Sequence, residues 1–120
     1  MPAQKNNSVT ELQEAIRTFT EERDWARYHT PKNLAMALIA ETAEIVEILQ
    51  WLTPRESETL QGAKLQHLRE EIGDVLIYLV NLSDRCGIDP VEAAFEKIKI
   101  NAEKYPPGLV RGKSDKYTEY

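Results

Sequence analysis

Apolar residues recur along this chain at helical intervals, and four stretches carry the pattern. In the first, over about residues 9–23, Val9, Leu12, Ile16 and Phe19 fall on one stripe. Ser8, with Glu11 three residues on, supplies a capping-box start. The second opens at Thr30-Pro31, a cap residue followed by proline at the first helical position, and is expected to run to about Leu52. Its apolar face is Leu34, Leu38, Ile45, Ile48 and Leu52, and Thr53-Pro54 is read as its stop. After a polar stretch from Arg55 to Gly62, a third helix carries Leu65, Leu68, Ile72, Val75, Leu76, Leu79 and Leu82. Its second half is apolar almost all round, which suits the centre of a bundle or a subunit interface, so an oligomer is expected. Asp89-Pro90-Val91-Glu92 opens the fourth, with Val91, Ala94, Phe95 and Ile98 on its expected buried side, and Tyr105-Pro106-Pro107-Gly108 ends it. No strand-like alternation, repeat or low-complexity tract competes with this pattern. The expected fold is all-α: an antiparallel four-helix bundle in a single domain over residues 1–120, helical over about 8–107, with a polar tail over 108–120.

Several carboxylates break the pattern. On a wheel at about 100° per residue, Glu41 falls between Leu38, Ile45 and Ile48, inside the apolar stripe of the second helix. Glu44 flanks the same stripe one turn along, so the two side chains can converge. The third helix repeats the arrangement with Glu71 and Asp74, and Tyr78 lies one turn beyond. If the two helices pack side by side, three or four carboxylates meet in a partly buried volume. Repulsion and desolvation there cost several kcal/mol unless a cation neutralises them. A ligand set of oxygens alone selects hard magnesium, with manganese as a substitute, over zinc or copper, and magnesium commonly binds substrate phosphates. The plainer reading is a solvated acidic helix face; it accounts for Glu47, Glu70 and Glu92 but poorly for Glu41. A di-iron carboxylate bundle fits less well, because neither His29 nor His67 sits three residues after a glutamate.

Composition narrows the function further. Of 120 residues, 42% are hydrophobic and 29% charged, the range of an ordinary globular chain. A formal net charge of -5 argues against a long nucleic acid as partner, since those are held by clustered Lys and Arg, but it leaves room for a small anion held through metal. No apolar run has transmembrane length, so no membrane partner is expected. The lone Cys86 and a polar opening without a signal-like apolar run point to a cytoplasmic location; Cys86 is read as buried packing near a helix end. His67 is read as a surface residue.

The two acidic pairs, Glu41-x-x-Glu44 and Glu71-x-x-Asp74, resemble the signature of the all-α nucleoside triphosphate pyrophosphatases, the MazG-like superfamily. A closer likeness to its dCTP pyrophosphatase branch runs through Glu22-Arg23-Asp24-Trp25, His29-x-Pro31-x-Asn33-Leu34, Gln50-Trp51, Asp74 to Val80, Ile100-Asn101, Tyr105-Pro106 and the ending Lys116-Tyr117-Thr118-Glu119. The resemblance implies that Glu41, Glu44, Glu71 and Asp74 bind magnesium and that a metal-activated water attacks the α-phosphorus of a nucleoside triphosphate, releasing pyrophosphate. It implies a deoxynucleoside pocket from Trp25, His29, Asn33, Trp51 and Tyr78, and a homotetramer. Aromatic faces stack on bases, which agrees. Lys97, Asn101 and Lys104 share one face of the fourth helix, followed by Tyr105; relatives place basic and amide residues there against the triphosphate, although Ala102 and Glu103 stand where relatives are often basic. A solvated lysine face is the plain alternative. The family's pocket also includes a histidine on the first helix where this chain has Ile16, which leaves base specificity open among dCTP, modified dCTP, dUTP and other triphosphates. Two other readings remain: a broad-specificity MazG-like hydrolase, and a helical oligomerisation module without catalysis.

Overall fold

A computed structural model describes residues 8–112. The polar opening at 1–7 and the tail from 113 on, which includes Lys113, Lys116 and the family-like ending Lys116 to Glu119, lie outside the described residues. The described chain is helical, without a strand, and divides into two compact units at Gly87.

The first unit holds α1 (Val9–Glu22), a 3-10 turn (Ala26–Tyr28), α2 (Pro31–Leu49), a short α3 (Pro54–Ser57) and α4 (Gly62–Arg85). Helix α4 is its axis, packing along α2 and, over a smaller area, against α1. The cap residues act as their chemistry predicts. The Ser8 hydroxyl accepts from the Glu11 amide, and the Thr30 hydroxyl accepts from the Asn33 amide. Thr53-Pro54, read from sequence as a stop, is also a start. The Thr53 hydroxyl accepts from the Glu56 amide while the Glu56 carboxylate accepts from the Thr53 amide, a complete capping box that nucleates α3. The same chemistry that was legible at Thr30-Pro31 therefore signals a helix inside the stretch read as merely polar.

Helix α1 ends in a reversal that matters for the site. Asp24 takes a left-handed conformation, φ 54°, its amide donating to the Glu21 carbonyl and the Trp25 amide to the Thr20 carbonyl at 2.9 Å. These are the two bonds of a Schellman stop, here with aspartate where glycine is usual. Gly87, φ 67°, ends α4 with a left-handed residue too, its amide donating to the Asp84 carbonyl at 3.1 Å. Cys86 just before it is exposed, a correction to the expected buried position: the last enclosed residue of α4 is Ser83, and Arg85, Cys86 and Gly87 are all exposed.

The core is narrow. On α2, Leu34 is enclosed and Leu38, Ile45 and Ile48 are half-buried, as their stripe requires. On α4 the inward face is Leu68, Glu71, Val75, Tyr78 and Leu82, with Val80 and Asn81 also enclosed. Leu65, Ile72, Leu76 and Leu79, expected on the same buried side, are exposed and form a second stripe of their own. Met36, Ile39 and Val46 do the same on α2. Both helices are thus apolar on two faces, one of which packs within the unit.

The second unit holds α5 (Pro90–Lys104) and a short α6 (Pro107–Val110). The Asp89 carboxylate caps α5 by accepting from the Val91 and Glu92 amides. Gly108, Leu109 and Val110, placed in the polar tail by sequence, belong to α6. The expected buried side of α5 is exposed, Phe95 and Ile98 more than half so and Val91 and Ala94 with them. Among the described residues of this unit, the four-residue α6 is the one other helix beside α5.

Candidate active site

Glu41 and Glu44 lie one turn apart on α2 and Glu71 faces them from α4; each offers a carboxylate oxygen, and these oxygens lie within 4.8 Å of one another. Glu71 is the most withdrawn, only 7% exposed. Its Oε2 is enclosed and makes no hydrogen bond, while Oε1 lies 3.3 Å from His67 Nε2. The wheel singled out Glu41, which is half-buried. Glu71 is deeper because α4 is packed on two sides, by α1 and α2, whereas α2 meets only α4 over a large area.

The charges strain against one another. Burial pushes the Glu41 carboxyl above the ordinary glutamate value; a hydrogen bond with Glu71 opposes this, and the negative charges of Glu44 and Asp74 reinforce it. The Glu44 carboxyl is pushed up as well, first by its hydrogen bond with Glu71 and then by that residue's charge. Asp74 stands outside the tight group of three but close enough to act on Glu41, so the fourth expected ligand is a neighbour of the cluster. An enclosed carboxylate oxygen without a donor costs on the order of 1–3 kcal/mol, more if charged. A hard divalent cation is the partner that all-oxygen donors of this kind fit.

On the same face of α4, further along, a cleft of about 270 Å³ opens between α1 and α4. Its walls include Ile16, Phe19, Trp25, His29, Tyr78 and Asn81, and its lining is mainly apolar. The Schellman stop delivers Trp25 here, edge-on to Phe19 with ring centroids 5.7 Å apart and to His29 at 6.4 Å. The Arg23 guanidinium lies over the Phe19 ring, 3.7 Å from its centre. Glu71, Asp74, Tyr78 and Asn81 follow one another at helical spacing, so the acidic cluster and the cleft share a stripe. Asp74 and Asn81 are about 10 Å apart along the axis at 1.5 Å rise per residue.

Trp25, His29 and Tyr78 therefore meet as expected, and Ile16, the departure from the family pattern, lines the same cleft. Trp51 does not join them. It is 85% exposed and borders a separate cleft with Glu47, Ile48, Leu52, Lys64 and His67, on the far side of the acidic cluster. Asn33 has a local duty: its side-chain amide donates to the Tyr28 carbonyl at 2.9 Å, tying the 3-10 turn to α2 and so holding His29 between them. Lys97, Asn101, Lys104 and Tyr105 lie in the second unit along one face of α5 and at its cap, Lys97 exposed and the other three half-buried.

Two residues escaped the sequence reading. His67 is 57% exposed by side chain, as expected of a surface residue, yet its ring touches Glu71; the i, i+4 spacing was the available signal. Asn81 is enclosed at 8% exposure in the middle of the apolar run Val75 to Leu82, and a polar residue there was a signal of the same kind as Glu41. Behind it, Arg17 grips Asp84 through two hydrogen bonds of 2.7 and 2.6 Å, with Gln13 donating to the same carboxylate at 2.8 Å. This clamp fixes α1 to α4 and holds the Asp84 carboxyl below its usual range.

Comparison with known proteins places the chain in a family. The MazG-like family model matches residues 37–119. The dCTP pyrophosphatase 1 of Homo sapiens is 44% identical over 103 residues, covering 84% of this chain and 61% of the relative. That of Rattus norvegicus is 42% identical with the same coverage. The chain spans about three fifths of the length of these curated relatives. A crystal structure of a pyrophosphatase from Archaeoglobus fulgidus DSM 4304 superposes with a TM-score of 0.78 at 39% identity, covering 88% of this chain and 99% of that one. With its acidic helix pair, its aromatic cleft and a family match over more than half its length, the chain belongs to the MazG-like family.

Proposed function

We propose that this chain is a magnesium-dependent nucleoside triphosphate pyrophosphohydrolase that converts dCTP, or a modified dCTP, to the monophosphate and pyrophosphate, clearing such nucleotides from the pool. One observation carries the reading: three carboxylates from two helices converge, and the innermost, Glu71, holds an enclosed oxygen without a partner. Glu41, Glu44 and Glu71, with Asp74 beside them, would hold Mg2+, or Mn2+ in its place. When bound, such an ion neutralises the cluster, polarises phosphate oxygens and lowers the pKa of a coordinated water. The protein's own part is placement. Trp25, His29 and Tyr78 hold the nucleoside in the cleft, and the shared stripe on α4 sets the α-phosphate beside the carboxylates. Water attacks the α-phosphorus, the bond to the bridging oxygen breaks, and pyrophosphate leaves with that bond's electron pair. For Lys97, Asn101, Lys104 and Tyr105 we keep the triphosphate-binding role that the family resemblance implies.

The chain is proposed to work as one hydrolase domain in a homotetramer whose helices complete a four-helix bundle. The second apolar stripes of α2 and α4 support an assembly of copies. Trp51, which borders another cleft within its own chain, reaches a nucleoside only across such an interface. A cytoplasmic setting suits the single, exposed, unpaired cysteine, and no described helix is long and apolar enough to cross a membrane. The test is to incubate the pure protein with each common and modified dNTP, with and without magnesium, and to identify the products. Monophosphate plus pyrophosphate, formed with metal and fastest from cytosine nucleotides, is the expected result. Orthophosphate release, or turnover indifferent to metal, would refute the assignment.

A further inference from the structure

The cleft is mainly apolar, and two of its polar side chains, Asn81 and His29, meet. Asn81 is enclosed, and an asparagine withdrawn from water in an apolar run costs stability unless each polar atom is used. One is: Nδ2 lies 3.2 Å from His29 Nδ1. An amide nitrogen has no lone pair to offer, so Nδ2 donates and the ring accepts at Nδ1, with its hydrogen on Nε2. The other atom, Oδ1, accepts no hydrogen bond from any described residue, yet it is not sealed away as Glu71 Oε2 is; the atom stays accessible. Asn81 lines both the apolar cleft and a smaller polar one of about 190 Å³ behind it, in which the Arg17–Asp84 clamp sits.

We propose that Asn81, oriented by His29, is the specificity-determining residue of the cleft, its Oδ1 accepting a hydrogen bond from the exocyclic amino group of the bound base. While the His29 ring carries its hydrogen on Nε2, its bond to Nδ2 holds the carboxamide in one orientation. It presents an acceptor, and an acceptor pairs with the amino group of cytosine or adenine but not with the carbonyl at the same position of uracil or thymine. With the nucleotide proposed above, that amino group is cytosine's. The inference rests on the nucleotide reading of the cleft proposed above and names the atom that makes the choice, a position at which Ile16 can contribute only contact.

The test separates reading from cutting. Binding of dCMP and dUMP to the unaltered protein is measured by calorimetry, alongside kcat/KM for dCTP and dUTP in the wild type and in Asn81→Ala and Asn81→Ser, with thermal melting as the check on folding. The wild type is expected to favour the cytosine member of each pair by about tenfold or more, the worth of one buried hydrogen bond. Asn81→Ala is expected to bring the pair ratio close to one by lowering the cytosine value and sparing the uracil value. Asn81→Ser, which keeps a shorter acceptor, should fall between. A ratio that survives in Asn81→Ala, or a uniform fall for both bases, overturns the proposal. If neither variant folds, equal binding of dCMP and dUMP by the wild type overturns it and a tenfold preference supports it. A protein that prefers dCMP but hydrolyses no triphosphate would sustain this inference while removing the proposed reaction.

Discussion

At the scale of single residues the decisive group is Glu71, whose enclosed oxygen has no donor. Glu71→Gln keeps the volume and removes a charge that is expensive without a cation, so the metal-free protein should melt at an equal or higher temperature. Its melting temperature should no longer rise with magnesium. Hydrolysis should fall by more than about 100-fold, beyond the 10–100-fold typical of residues that merely support a ligand. A variant that melts lower and still responds to magnesium would mean that Glu71 is structural. The raised carboxyls of Glu41 and Glu44 give a pH signature. Between the ordinary glutamate value and their raised folded values, the native state binds more protons than the unfolded one, so metal-free stability falls as pH rises through that window. Magnesium should therefore raise the melting temperature more above the window than below it, measured by thermal melts across pH. The sequence made this residue pair legible only in part. A wheel shows Glu41 inside a stripe because the stripe belongs to α2 itself. It cannot show that Glu71 lies deeper, because that depth comes from α1 and α2 both lying against α4.

At the scale of elements, caps were the most readable feature. Ser8, Thr30 and Asp89 each accept from amides of the first turn as their spacing suggests. Asp89→Ala should cost about 1 kcal/mol in denaturant unfolding, the usual worth of an N-cap, and no change would mean that α5 starts without it. The same rule finds α3 at Thr53-Pro54; a proline after a threonine closes one helix and opens another, and reading only the first effect misses the second. What periodicity could not resolve was which of two stripes on a doubly apolar helix packs within its own chain. Leu68 and Leu82 are half-buried while Leu65 and Leu79 are exposed. Residue type does not distinguish them; the direction from which α2 approaches does.

For the molecule as a whole, exposed Ile72, Leu76 and Leu79 on α4, with Met36, Ile39 and Val46 on α2, offer apolar surface of the kind that serves as an interaction site, which supports the assembly proposed above. Burying a leucine fully is worth about 1.5–3 kcal/mol, and a charge in its place costs more. Leu76→Lys should shift sedimentation velocity to a smaller species while leaving the helical circular dichroism of the chain largely intact. Unchanged assembly would remove this stripe from the interface.

The reversal at Asp24 carries a consequence for how a nucleoside would enter. Trp25 is placed by main-chain bonds that α1 forms with its own last turn, and its neighbour Phe19 meets it edge to face and carries the Arg23 guanidinium over its ring. The stacking surface is thus assembled within one chain segment before anything arrives. Little side-chain freedom is left to surrender at the encounter, so a nucleoside should slot in at a rate set by diffusion and orientation, without a slow tightening step afterwards.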